Sequence, residues 1–184
     1  MSGKLVAWII SLLQHRDWIG SLGVKPLGLL MGILSLSCCG LSGFGGLIRN
    51  SFGSFLGGFY GVKSQASILY AKIMVMLHGL ELCWDKRFKH VICFLDSLQT
   101  VTLVKNGVSP HHKFANEFFS IHQLLDRDWN VVINHTLREG NACADMLAKM
   151  GANTISPLVK LVVPPSELSP HLFADAWGVT FVRE

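Results

Sequence analysis

The alternation of extended and helical patterns along this 184-residue chain predicts an α/β domain built on a mixed, partly parallel central sheet flanked by helices. Three observations carry that expectation. Two glycine-rich apolar segments, Phe44–Arg49 and Phe55–Tyr60, flank a turn cluster at Asn50-Ser51-Phe52-Gly53. The short unbroken apolar run Val91–Leu95 reads as a strand covered on both faces. Stretches of helical periodicity then separate this strand from another around Val131 and Ile133.

Taken in order, the first element is the hairpin that the turn cluster closes. Ala66–Trp84 follows, free of Gly and Pro except Gly79 and apolar nearly all round, as a largely buried helix must be. After the strand Val91–Leu95, Asp96 and Ser97 open a helix that runs through Lys105 and stops at Gly107 and Pro110. Phe114, Phe118, Ile121 and Leu125 form one stripe of a further helix. Trp129, Val131 and Ile133 alternate with Asn130, Val132 and Asn134, the period of a strand. Asn141 is an N-cap for a last helix with Ala144, Leu147, Ala148 and Gly151 on one face. The tail from Pro157, with Pro164, Pro165 and Pro170, is expected to be extended and laid over the domain.

Half the residues are hydrophobic and 15% are charged, which excludes a disordered chain. A net charge of +4 permits a polyanionic partner without demanding one. No charged residue stands between Lys25 and Arg49, and that stretch is long enough to cross a bilayer as a helix. Its many glycines, and the lack of a Trp/Tyr belt at either end, argue against a span. The short apolar run Leu5–Leu13 lacks a following cleavage site, so no signal peptide is expected. The cysteines (38, 39, 83, 93 and 143) are odd in number and show no C-x-x-C spacing. They read as buried thiols of an intracellular protein, cytoplasmic or nuclear.

Two acids stand out by context. Asp96 ends the buried strand and would emerge at the carboxyl edge of the sheet, where α/β folds place their sites. Asp145 lies in the first turns of a small-residue helix. Each also has a structural explanation, Asp96 as a helix N-cap and Asp145 as a partner of the helix dipole. His111-His112-Lys113 is a small basic cluster before a helix. Trp84, Trp129 and Trp177 sit in patterned surroundings that favour core positions over stacking platforms.

The stretches Leu41-Ser42-Gly43-Phe44-Gly45-Gly46-Leu47-Ile48-Arg49-Asn50, Gly79–Trp84, Phe94-Leu95-Asp96-Ser97 and Asn134–Asp145 resemble, in that order, the ribonuclease H fold. The likeness is to plant ribonuclease H-like domains associated with the reverse transcriptases of non-LTR retroelements. It covers Leu41–Gly151. The resemblance implies a ribonuclease H-like domain at 41–151, a poorly matched segment at 1–40 and a tail at 152–184 packed on the domain. It further implies an RNA–DNA hybrid as partner, a monomer, no membrane, and Mg²⁺ or Mn²⁺ held by four carboxylates. Asp96 and Asp145 match two of these. The Glu expected in the first helix is replaced by Lys72, whose ammonium would repel Mg²⁺ and could pair with Asp96. The expected first-strand Asp has no counterpart in Leu29–Leu34, so that strand is expected to be degenerate. Met31-Gly32 must be encoded ATG-GGN, and suitable codons before it would read Asp-Gly one base back, as if residues before Leu41 had left the ancestral frame. Glu81 lies about 13 Å further along the helix than Lys72, too far to replace the lost acid. By the same resemblance His135 and Arg138 fall in a loop near the active site, and His112 and Lys113 could touch the nucleic-acid backbone. The expectation is a ribonuclease H-type hydrolase that is impaired or inactive. The alternative is a non-catalytic nucleic-acid-binding module or a degenerate remnant.

Overall fold

Asn50 closes the expected hairpin. Its side-chain oxygen accepts hydrogen bonds from the backbone N–H groups of Phe52 (3.0 Å) and Ser54 (2.9 Å), while Gly53 takes the positive φ of 81° that the turn requires. In the computed structural model, which describes residues 27–34, 41–64, 67–136 and 142–176, this turn joins strands β2 (Leu41–Arg49) and β3 (Phe55–Ser64). The other strands are β1 (Leu27–Leu34), β4 (His90–Leu95), β5 (Asn130–His135) and β6 (Val159–Leu161). The helices are α1 (Ile68–Asp85), α2 (Leu98–Asn106), α3 (Ala115–Leu125), α4 (Ala142–Ala152) and α5 (Ser169–Ala176).

The strands form one sheet in the order β5-β4-β1-β2-β3-β6. β1 pairs antiparallel with β2 and parallel with β4, and β4 pairs parallel with β5. The mixed sheet is thus as expected, but it begins upstream of Leu41. Leu27–Leu34, where the degenerate first strand is expected, pairs within the sheet on both edges. The physical reason is that ladder hydrogen bonds come from the backbone, so a strand can pair on both edges whatever side chains it carries. The uncharged stretch before Arg49 is, where described, two antiparallel strands, and no helix of the described residues is long and apolar enough to cross a membrane.

The pleat of β2 sends its residues to two different cores. Phe44 and Ile48 join Phe59, Met76, Leu80, Cys93, Val101 and Phe118 on the face covered by α1, α2 and α3. Leu47 faces the other way, packing with Cys143, Ala144 and Leu147 of α4 and with Leu168. Gly43 and Gly45 share that second face, and α4 lies directly on them. A Cβ on Gly45 would stand 2.6 Å from the Leu147 Cβ, and one on Gly43 would collide with the Ala148 carbonyl oxygen.

Helix starts are set locally. The Ser67 Oγ accepts from the Tyr70 N–H at 3.1 Å to cap α1, and the Ser97 Oγ accepts from the Thr100 N–H at 3.2 Å to cap α2. α2 ends at Gly107, whose φ of 75° needs no Cβ. The Asn141 cap expected for α4 lies outside the described residues. The tail is only partly the extended strap expected of it. The Val62 N–H bonds to the Ser156 carbonyl, β6 adds a strand to β3, and Leu168 is fully buried. Ser169–Ala176 is helical, and Pro170 fits because it falls in the first turn, where no intrahelical N–H is needed.

Gly45→Ala is expected to lower the unfolding free energy by about 2 kcal/mol or more, because backbone rather than a flexible side chain must yield. Urea denaturation against Ser51→Ala, on the exposed turn and expected to change stability by less than about 0.5 kcal/mol, checks this.

Candidate active site

The parallel pairing of β1, β4 and β5 ends at one row, with Met31 level with Leu95 and Leu95 level with His135.

 Leu95, the middle residue of that row, is buried, and the Thr136 N–H donates to its carbonyl at 2.8 Å. Asp96 follows it at the carboxyl edge of the sheet, where sequence reasoning places it. His135 is brought to the same edge and is exposed.

Asp96 is not the N-cap of α2. Ser97 caps that helix, taking hydrogen bonds from both the N–H and the hydroxyl of Thr100. This leaves the Asp96 carboxylate free of a capping role, and it meets a side chain from another helix. The Lys72 Nζ donates to the Asp96 Oδ1 at 2.5 Å. The two side chains are 14% and 6% exposed, so the pair is largely shielded from water. Lys72 lies in the second turn of α1, whose first turn holds no acidic residue. The positive end of a helix disfavours a cation, and Asp96 compensates that cost. The edge is flanked by two apolar side chains. Ile68 stands one helical turn before Lys72 and Leu98 opens α2, with exposures of 62% and 61%.

Asp145 belongs to the helix on the opposite face of the sheet. It lies in the first turn of α4 and is 4% exposed. Its neighbours Cys143, Ala144 and Leu147 pack with Leu47 and Phe94, and Phe94 is two residues before Asp96. Asp145 therefore lies on the α4 face, toward the carboxyl end of β4. Among the described residues, no group of three or more His, Cys, Asp or Glu side chains is arranged to hold a metal ion. With Asp96 engaged by an ammonium, the described donors do not fit a carboxylate-bridged pair of ions.

The other candidate residues divide. His112 is half-buried, its ring packed edge-on to Phe114 and Phe118, and its Nδ1 accepts from the Phe114 N–H. Lys113 is exposed and lies over the Phe114 ring, which in turn touches Tyr70 near the start of α1. Trp84 and Trp129 meet edge to face at 5.4 Å, and the Trp129 indole N–H donates to the Leu124 carbonyl. Both are partly buried, and Arg127 covers the Trp84 ring at 4.8 Å. Glu81 is exposed and faces His78 within its own helix. Arg138 and Trp177 lie outside the described residues. Sequence reasoning has Asp96 and Ser97 open α2 and offers the cap to Asp96, whereas Ser97 takes it.

A family profile described as reverse transcriptase-like matches residues 37–151. An Arabidopsis thaliana protein named as a candidate ribonuclease H is 31% identical over 144 residues, which cover 78% of this chain and 23% of that protein. The chain thus spans about a quarter of the length of this curated relative. Among solved structures, the N-terminal RNase H domain of a Mycobacterium tuberculosis protein superposes with a TM-score of 0.63 at 15% identity, covering 71% of this chain and 95% of that one. An RNase H1 isolated from compost by a metagenomic approach, solved with an RNA/DNA hybrid, gives 0.59 at 21% identity, covering 71% and 97%. These likenesses establish the fold.

The thiols behind the site are chemically quiet. Burial pushes Cys83 up from an ordinary 9.0 to about 12, against a weaker opposing pull from Lys86. Burial, with the neighbouring Cys83, raises Cys93 as well. Both thiols stay protonated near neutral pH, so iodoacetamide should label the Cys83 and Cys93 peptides only after denaturation, as read by mass spectrometry. The raised value also sets a direction for stability. The contribution of Cys83 is complete below the unfolded value of 9.0 and is lost as the pH rises towards about 12, so urea midpoints should fall above pH 9.

Proposed function

Because this chain belongs to the reverse transcriptase-like family of ribonuclease H-like domains, we propose that it is a nucleic-acid-binding domain for RNA–DNA hybrids whose metal-dependent cleavage is severely impaired. Support for the substrate class comes from the shared fold and from the compost RNase H1, which was solved with an RNA/DNA hybrid. The observation that carries the impairment is the ion pair of Lys72 with Asp96. Enzymes of this family use divalent metal ions, which here would be Mg²⁺ or Mn²⁺, and Asp96 and Asp145 are the carboxylates suited to that role. A lysine ammonium on Asp96 opposes a divalent cation at the same oxygen by charge, and it supplies no ligand in return.

Binding is the activity that remains on this reading. Exposed Lys113 and His135 are available to phosphate oxygens, and Arg138, close to His135 in sequence, is a further candidate. The net charge of +4 suits weak, salt-sensitive binding rather than tight recognition. Buried thiols such as Cys83 and Cys93 suit an intracellular, reducing compartment.

Gel retardation with hybrid, duplex and single strands tests the binder. Contact with roughly two phosphates should weaken hybrid binding about tenfold between about 50 and 200 mM salt. In Mg²⁺ or Mn²⁺ a labelled hybrid should stay uncut. Cutting that Asp96→Asn abolishes would show a working centre and overturn the impairment.

A further inference from the structure

Lys72 places on Asp96 the kind of charge that a bound cation would supply. The pair is close and largely dry, with 2.5 Å between Nζ and Oδ1 and with side-chain exposures of 14% and 6%. Screening by water and salt is correspondingly weak. Each partner is placed by its own helix. Asp96 precedes the N-cap of α2, an end that favours an anion, and Ser97 already provides the cap. Lys72 stands near the start of α1, an end that disfavours a cation, so its position is made tolerable by the carboxylate opposite. Ile68 and Leu98 flank the edge with exposed hydrocarbon and offer no side-chain oxygen to an incoming hydrated ion.

We propose that Lys72 is a tethered cation that takes the place of a divalent metal ion at Asp96. The folded domain then needs no metal at this edge, and removing the ammonium opens Asp96 to Mg²⁺ or Mn²⁺. The inference rests on the functional reading above for the identity of this edge. Its test reads thermal stability and metal binding without nucleic acid, so failure to bind a hybrid and failure of this inference are separate results.

The experiment uses the full chain, freed of metal by chelation, and compares melting temperatures with and without Mg²⁺ or Mn²⁺ at constant ionic strength. The wild type and Lys72→Arg should shift by less than about 1 °C on adding about 1 mM Mn²⁺. Lys72→Met leaves a shielded carboxylate without its ammonium and should melt about 4 °C or more below the wild type. Mn²⁺ should restore about 2 °C or more of that loss, and Lys72→Glu should gain at least as much from the ion. Lys72→Met combined with Asp96→Asn should lose the response. If Lys72→Met is insoluble without metal, refolding in Mn²⁺ that recovers soluble protein supports the proposal, and failure to recover it counts against. The wild type gives an independent measurement, since the electron paramagnetic resonance signal of free Mn²⁺ should be undiminished by the protein. Loss of that signal through Asp96, or a wild-type stabilisation equal to that of Lys72→Met, would overturn the proposal. So would the absence of a metal response in both Lys72→Met and Lys72→Glu.

Discussion

The absence of side chains along one seam sets the thickness of the molecule on one face. Where α4 crosses the hairpin, Gly43 and Gly45 on β2 and Gly151 on the helix let backbone meet backbone or its nearest neighbours. A Cβ on Gly151 would strike the Gly61 carbonyl oxygen, and the contacts at Gly43 and Gly45 leave no more room. This closeness brings Leu147 and Ala144 onto Leu47 and draws Asp145 down to a buried position. The other face is built differently. There α1 meets the sheet through Phe44, Phe59 and Met76, side chains large enough to form the main core. One helix therefore sits on backbone and the other on a layer of hydrocarbon.

The two arrangements meet at the carboxyl edge, where the charge is settled by contacts between distant segments. Ser97 satisfies the start of α2, so Asp96 can engage Lys72 rather than its own backbone. Because the pair is shielded, neither partner is easily given up alone. Removing one strands the other away from water, which is more costly than the net worth of the pair suggests. On the functional reading proposed above, the substitution that weakens metal chemistry is also built into the stability of the fold.

Much of this was legible locally. The Asn50–Gly53 turn, the apolar run of β4 and the stop at Gly107 depend on residues a few positions apart, and each formed where its pattern indicated. Asp96 and Asp145 stood out by context, and the resemblance added Lys72 and the possibility that it would pair with Asp96. Less was legible for β1. Its sequence has no polar–apolar alternation to read, and its place comes from pairing with β2 and β4. β6 is three residues long and carries too short a pattern to read.

Side-chain chemistry over short spans thus specified which elements exist, where most of them begin and end, and which residues could carry charge at the sheet edge. Which strands became neighbours, how closely α4 approached β2, and whether Asp96 would cap its own helix or take the ammonium of Lys72 were settled by the assembled fold. The reason is one of range. Caps, turns and periodicity act within a few residues, whereas strand pairing, glycine contacts and the ion pair join segments far apart in the chain, and their geometry exists once the sheet and both helical layers are in place.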